Sequence, residues 1–195
     1  MRYSSLLMAA LLLAGTGAAL AQTPDYSHVG RTPSKDEIQA WAISVGPDGK
    51  GLPPGSGTAK QGAAIFATKC AYCHGASAQG GGIGTRLAGD KAAQESLTTM
   101  HPVRTVGSYW PYATTIWDYI NRAMPRNQAG SLKPDEVYSL TAFILFRSSI
   151  IQENDVMDAS SLPKVQMPNR NGFVPPRFED IPDEHKRGCR EGVCP

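Results

Sequence analysis

Apolar residues recur at helical spacing in three separate stretches of the chain. The first stretch ends just before Cys70, the second begins near Pro111, and the third spans residues 135–150. Positions that recur every three or four residues form one face of an amphipathic helix. The pattern therefore predicts an all-α domain. The positions are Ala63, Ala64, Phe66 and Ala67; Ile116, Trp117, Tyr119, Ile120 and Ala123; and Val137, Leu140, Thr141, Ile144 and Leu145.

Helix start signals support two of the predicted helices. Pro134 precedes the third stretch, and proline suits the first turn of a helix because its φ is already fixed. Ser34 is followed three residues later by Glu37 and then by apolar residues up to Trp41. This order is typical of a capping box and predicts a further short helix.

Breakers divide the chain into segments. Glycines and prolines fill residues 46–57 and predict a tether into the main domain. Residues 152–195 are rich in proline and show no periodicity. We therefore expect an N-terminal arm at 22–57, a main domain at 58–151 and an extended C-terminal arm at 152–195 that wraps its surface.

The first 21 residues have the pattern of a secretory signal peptide. Arg2 supplies a positive start, residues 6–13 are apolar, and residues 19–21 (Ala-Leu-Ala) form a small-residue cleavage site. The alternative is an uncleaved membrane anchor, for which the apolar run is short. The pattern predicts export, in bacteria to the periplasm, without stable insertion in the membrane.

The overall composition argues against nucleic-acid binding and for a buried cofactor. The chain of 195 residues has 19 basic and 17 acidic side chains and a net charge of +2, which is no polybasic signature. It also holds 20 glycines and 15 prolines, so much of it should be loop. Such a chain has a small core unless a bound group, such as a porphyrin, fills it.

Residues 70–74, Cys-Ala-Tyr-Cys-His, form the attachment motif of a covalent haem. Two residues between the cysteines let both thiols reach the vinyl groups on one porphyrin edge. The adjacent His74 then offers its imidazole to the iron. The motif predicts one haem c, bonded to Cys70 and Cys73.

Two alternatives use the same cysteine spacing. A redox dithiol needs no histidine after its second cysteine, and a zinc site needs two further ligands at matching spacing. The other cysteines, Cys189 and Cys194, lie far along the chain. In an oxidising compartment we expect these two to form a local disulfide, with a redox-active pair or attachment to a partner as the alternatives.

The second axial ligand of the iron is predicted to be Met124. It lies between two predicted helices, where the chain must return over the distal face, and Pro125 stiffens the backbone there. A methionine ligand closes the iron to small molecules and suits electron transfer. Met167 is the second choice. The other candidates are Met100, Met157, His28, His101 and His185. Of these, Met100, His101, His28 and His185 are expected at the surface.

Taken together, these residues resemble the class I cytochromes c. Gly62 and Phe66 resemble the contact through which the first helix of that fold crosses the last, where Phe143 would be the aromatic partner. The resemblance implies that the loop at 84–87 lies under His74. The family usually has a proline there whose carbonyl accepts a hydrogen bond from the imidazole, and this chain has Thr85.

A narrower resemblance covers most of the chain after residue 46. It is similar to the cytochrome subunits of molybdenum sulfite and sulfane dehydrogenases of sulfur-oxidising bacteria, although these often carry a second haem domain. The resemblance implies that the protein takes electrons from a molybdopterin partner and passes them to another cytochrome. It rests on PDGKGLPPGSG at 47–57, TVGSYWPYA at 105–113, WDYINRAMP at 117–125, SLPK at 161–164 and MPNR at 167–170.

Other functions and contacts stay open on the sequence alone. The protein could be a free-standing diffusible carrier or, with an open iron, a haem enzyme, although no distal acid or base group is evident. Arg86 or Arg104 could neutralise a haem propionate. Trp110, in an aromatic cluster with Tyr109, Tyr112 and Trp117, could donate to a propionate or only pack against the porphyrin edge.

Overall fold

The computed structural model describes residues 26–27, 29–81 and 83–175. These residues belong to two compact units, which meet in the sequence between Ala42 and Ile43. The first contains helix α1 (Lys35–Trp41). The second contains α2 (Ala59–Lys69), α3 (Ala71–His74), α4 (Lys91–Ser96), α5 (Val106–Tyr109), α6 (Ala113–Ala123), α7 (Pro134–Arg147), strands β1 (Ser56–Gly57) and β2 (Met157–Asp158), and a 3₁₀ turn (Leu162–Lys164).

Helix α1 begins with the predicted capping box. The Ser34 hydroxyl accepts from the backbone N–H of Glu37 at 3.2 Å, and the Glu37 carboxylate accepts from the backbone N–H of Ser34 at 2.8 Å. The guanidinium of Arg31 also donates to Glu37 and, with the Ser34 bond, lowers the pKa of that carboxyl to about 2. The short capped helix predicted for this segment is confirmed.

The core is built where α2 crosses α7. Gly62 lies against the backbone of Ser139, so closely that a side chain on Gly62 would overlap the Ser139 carbonyl oxygen. One turn further, the rings of Phe66 and Phe143 pack with their centroids 4.7 Å apart. The close approach of the backbones and the ring contact confirm the all-α fold and the predicted crossing of the first and last helices of the domain.

Helix α6 packs against α7 on the face that carries Trp117. The ring centroids of Trp117 and Tyr138 are 5.5 Å apart, and both side chains are fully buried. Asp118, the next residue of α6, accepts a 3.0 Å hydrogen bond from the backbone N–H of Val45. Two further residues of α6, Ile116 and Ile120, line cavities beside the cysteine–histidine motif.

Parts of the predicted arms belong to the core. Gly57 and Met157 pair in the two-residue antiparallel ladder of β1 and β2, a small sheet that the all-α prediction did not include. Met157, Leu162 and Met167 are 5 %, 0 % and 3 % exposed. No periodicity marks this segment because these residues fill gaps between helices singly. Within its described part, the C-terminal arm therefore packs into the domain rather than only covering its surface.

We expect the stability of the domain to fall in alkali because of Tyr138. Its hydroxyl donates to the Pro53 carbonyl at 2.9 Å, and burial, followed by the charge of Asp158, raises the pKa of Tyr138 from 10 to about 12. Because the pKa is higher in the folded state, the stabilisation is fully present below pH 10 and is lost as the pH rises through 12. In Tyr138→Phe this loss should be absent, and the free energy of unfolding at neutral pH should fall by about 1 kcal/mol.

Urea unfolding of both proteins from neutral pH to the folded-state pKa of Tyr138 measures the effect. Other groups titrate in the same range, so the difference between the two proteins at each pH isolates Tyr138. Parallel pH profiles for the two proteins would contradict the prediction.

Some sequence predictions lie outside the described residues. These are the signal peptide at 1–21, the Cys189–Cys194 disulfide, and the positions of His28 and His185. Among the residues that the structure describes, no helix combines the length and the apolar character needed to span a membrane.

Candidate functional site

The cysteine–histidine motif forms a helical turn directly after α2. The backbone N–H groups of Cys73 and His74 both donate to the carbonyl of Cys70, at 3.1 and 3.0 Å. This turn places all three side chains along one cavity, as the motif predicts. Cys70 and Cys73 do not form a disulfide with each other.

The cavity beside this turn has a volume of about 700 Å³. This size is within the range of small-molecule and cofactor sites, roughly 300–1,000 Å³. Its wall is mainly apolar and is formed by α2, α3, the loop at 83–87, α6, the loop at 124–127 and α7. The apolar wall residues are Phe66, Ile83, Leu87, Ile120, Leu132, Leu140 and Ile144.

His74 is held in one orientation by the loop that follows the motif. Its Nδ1 lies 2.9 Å from the carbonyl oxygen of Thr85. A carbonyl only accepts, so Nδ1 carries a proton, and in the neutral imidazole it is then Nε2 whose lone pair can bind a metal. The backbone carbonyl of Thr85 therefore accepts the hydrogen bond that a proline carbonyl usually accepts in the class I cytochromes c.

Gly84 allows this loop to approach the imidazole. A Cβ at Gly84 would lie 2.8 Å from Nδ1 of His74 and 2.7 Å from the carbonyl oxygen of Cys73. The backbone N–H of Gly84 donates to that same carbonyl at 2.9 Å, so the loop cannot retreat without losing this bond. Only glycine fits at this position without a shift of its neighbours.

We expect Gly84→Ala to displace the His74 ring and break its bond to Thr85. The overlap should cost about 1–3 kcal/mol of folding free energy. It should also weaken metal binding by the imidazole about 10- to 100-fold, because the bond that orients the ligand is lost. Denaturant unfolding and the spin state of the ferric protein, read from its absorption spectrum, measure the two effects.

Gly130→Ala is the matched control. Gly130 has a positive φ of 75°, and a Cβ added there would meet no atom within 4 Å. The variant therefore measures the free-energy cost of alanine in this backbone conformation, without a steric clash and without a contact to His74. It should destabilise the fold and leave the spin state unchanged. An unchanged spin state in Gly84→Ala would contradict the role given to this glycine.

Met124 lies at the end of α6 and lines the same cavity. Its backbone N–H donates to the Ile120 carbonyl at 3.0 Å. It also lines a second cavity of about 160 Å³, which is lined by His74 as well. The end of α6 and the motif turn, which are far apart in the chain, therefore line the same two cavities.

The other methionine and histidine candidates within the described residues are not brought to this cavity. Met167 and Met157 belong to the packed core. Met100 is 90 % exposed, and His101 is also exposed. Neither cavity is lined by any of these four residues.

Comparisons with known proteins agree with this geometry. A family described as "Cytochrome C oxidase, cbb3-type, subunit III" matches residues 57–144, the part of the chain that holds the motif turn and the cavity. The crystal structure of the sulfane dehydrogenase SoxCD from Paracoccus pantotrophus contains a chain with 38 % sequence identity and a TM-score of 0.71. The match covers 85 % of this chain and 83 % of that one. The chain belongs to the c-type cytochromes. No curated protein matches it significantly.

As a c-type cytochrome, the protein binds haem and transfers electrons. The two residues predicted to contact the haem edge lie in different surroundings. Trp110 lines the smaller cavity of the cytochrome. Arg86 lines neither cavity, and its guanidinium donates instead to the Ala88 carbonyl at 3.0 Å and to Asp90 at 2.8 Å.

The mouth of the main cavity carries two apolar side chains that no sequence pattern indicated as functional. Tyr72 is 87 % exposed and Ile83 is 67 % exposed, and both line the cavity. Tyr72 lies between the two motif cysteines, and this position is the sequence feature that could have indicated it as a residue of the site. Lys69 and Arg126 line the same cavity and are also exposed, so in this cytochrome the accessible edge of the site carries both apolar and cationic side chains.

Proposed function

We propose that this cytochrome carries one haem, bonded covalently to Cys70 and Cys73 and ligated by His74 and Met124. The supporting observation is that two cysteine side chains, an imidazole held through its Nδ1 by Thr85 and a thioether side chain line one largely apolar cavity. The donor set and the apolar wall fit a haem c. Met167, the second choice for the distal ligand, lies in the core away from the cavity.

The bound haem supplies a reversible one-electron couple. The chain supplies the environment of that couple. Its apolar wall excludes water, Thr85 fixes the imidazole, and the end of α6 fixes Met124. With His74 and Met124 both as ligands, the iron would have no position left for a substrate, which favours electron transfer over haem-enzyme chemistry.

We further propose that the electrons come from a molybdenum sulfite or sulfane dehydrogenase-type partner in the periplasm and pass to a downstream cytochrome. The similarity to a chain of the SoxCD sulfane dehydrogenase supports this role in sulfur oxidation. The five sequence strings that resemble the dehydrogenase cytochrome subunits also support this role. They are spread over residues 47–170 and lie outside the haem motif itself. A free-standing diffusible carrier is the alternative, and it would form no stable complex.

Affinity purification of the full-length chain from its sulfur-grown host tests this function. We expect a molybdenum-containing protein to co-purify, one haem per chain, and haem reduction on addition of sulfite or a sulfane-sulfur substrate. A Cys70→Ala/Cys73→Ala variant should still recover the partner if it folds, but should show no haem reduction. Purification of the haem-loaded chain without molybdenum, together with a haem that stays oxidised, would favour the diffusible carrier.

A further inference from the structure

A group of aromatic and cationic side chains lies outside both cavities, since none of its members lines either of them. Arg104 stacks over the ring of Tyr109 with 5.4 Å between its central carbon and the ring centroid. Arg170 stacks over Tyr112 in the same way at 5.2 Å. The ring of Phe173 packs edge-on against Tyr109 at 5.1 Å. We call these five residues the arginine–tyrosine surface.

This surface is one continuous patch. The side-chain amide of Asn169 donates to the Tyr109 carbonyl at 2.7 Å, so residues 169–173 lie alongside residues 109–112. Arg104 is exposed, Phe173 is 51 % exposed, and the adjacent Val174 is 81 % exposed. Tyrosine, phenylalanine and arginine are among the side chains most enriched in protein interfaces.

The charge of the patch is uncompensated. Among the described residues, neither Arg104 nor Arg170 forms an ion pair with a carboxylate. The same is true of Arg126 and Arg147, whereas Arg31, Arg86 and Arg122 each form one. Stacking on tyrosine holds each guanidinium in place and leaves its N–H groups available. A surface with these properties is complementary to one that presents carboxylates.

Two further aromatic residues lie at the smaller cavity. The rings of Trp110 and Tyr119 make an edge-on contact with centroids 5.6 Å apart, and both line the smaller cavity beside His74 and Met124. Tyr119 is 46 % exposed. This pair therefore leads from the smaller cavity to solvent at Tyr119, and Trp110 directly follows Tyr109 of the arginine–tyrosine surface in the chain.

We propose that the arginine–tyrosine surface is the docking site of an acidic electron-accepting protein. The electron passes to this acceptor through the contacts of Trp110 and Tyr119. The reduced haem iron loses one electron and the metal centre of the acceptor gains it, and no proton or covalent bond is exchanged. This inference rests on the proposed function only in requiring a haem in the cavity.

The chemistry of the two surfaces assigns the acceptor to this one. Lasting subunit interfaces are the more apolar ones, and the main cavity offers the exposed side chains of Tyr72 and Ile83 for such a contact, next to the cations of Lys69 and Arg126. Transient partners are steered by charge, which raises their association rate at low salt. Electrons would thus enter and leave at different places, and the acceptor could bind while the donor stays attached.

The test is the oxidation of the reduced, haem-loaded full chain by hexacyanoferrate(III), a trianionic one-electron oxidant, in stopped flow. We expect Arg104→Gln/Arg170→Gln to lower the second-order rate constant about 3- to 10-fold at low ionic strength and to flatten its salt dependence. The matched control is Lys50→Gln/Lys60→Gln, which removes two exposed charges elsewhere and should change the rate less than about twofold. Equal losses in both pairs would overturn the proposal, because net charge would then explain them.

Two further comparisons test the path and the occupant. Tyr119→Leu should lower the rate constant at every salt concentration and leave the reduction potential unchanged. Tyr72→Ala should leave the rate constant unchanged. If instead Tyr72→Ala lowers the rate constant and Tyr119→Leu does not, the electron leaves at the cavity mouth.

The chain itself has acidic residues at 179–184. If truncation after residue 175 raises the oxidation rate only while the two arginines are present, the patch binds this segment, and the proposal of a separate acceptor fails. Haem content and molybdenum recovery are measured separately, so a failed partner assignment is distinguishable from a failed docking surface.

Discussion

Replacement of Met124 by alanine is expected to abolish the weak far-red absorption band of the ferric protein and to lower its reduction potential. Met124 is the thioether side chain that lines both cavities beside His74. Thioether ligation stabilises the reduced iron relative to the oxidised iron, and alanine has no group that could replace it. The iron should then accept small ligands such as cyanide or imidazole more readily. Absorption spectroscopy and a redox titration measure these effects.

Met167→Ala is the matched control for this experiment. Met167 is 3 % exposed and belongs to the core, so its truncation should cost about 2–5 kcal/mol of folding free energy. It should leave the far-red band and the potential of the folded protein in place. The reverse result, a band that survives in Met124→Ala and is absent in Met167→Ala, would reassign the distal ligand to the C-terminal segment.

The parts of the molecule that depend on local spacing were predictable from the sequence. The helical turn at residues 70–74, the cap at Ser34 and the helix that starts at Pro134 are all set by residues within one or two turns. The contact of Gly62 and Phe66 with α7 was also predicted, because the family resemblance supplied the long-range pairing that spacing alone cannot give.

The parts that were not predicted depend on single residues whose neighbours are distant in the chain, or on elements too short to show a pattern. Met157 pairs with Gly57 from the far end of the domain, and no periodicity marks a two-residue strand. The ion pair of Arg86 with Asp90, four residues further on, was also not predicted. The short helices α4 and α5 were missed because each has fewer than two turns and shows no amphipathic repeat.

We expect Gly62→Ala to destabilise the protein, although helix propensity predicts the opposite. Glycine in the interior of α2 should cost about 1 kcal/mol relative to alanine. The added methyl group, however, would overlap the carbonyl oxygen of Ser139 and lie 2.8 Å from Cβ of Phe143. Overpacking of this kind costs about 1–3 kcal/mol and occasionally more, and here the obstacle is backbone, which cannot rotate away. The free energy of unfolding in urea measures the net effect.

Ala63→Gly is the control, because this neighbouring residue on α2 is exposed. It should destabilise by about 1 kcal/mol and thus measure the propensity term in the same helix. If Gly62→Ala proves more stable than the original protein by that amount, the two helices do not approach as described.

If Gly62→Ala is less stable, the effect should extend to the haem. Cys70 follows the last turn of α2, so a helix pushed away from α7 carries the first attachment thiol with it. A lower yield of haem-loaded protein in Gly62→Ala than in Ala63→Gly would show that the crossing positions the site as well as stabilising the fold.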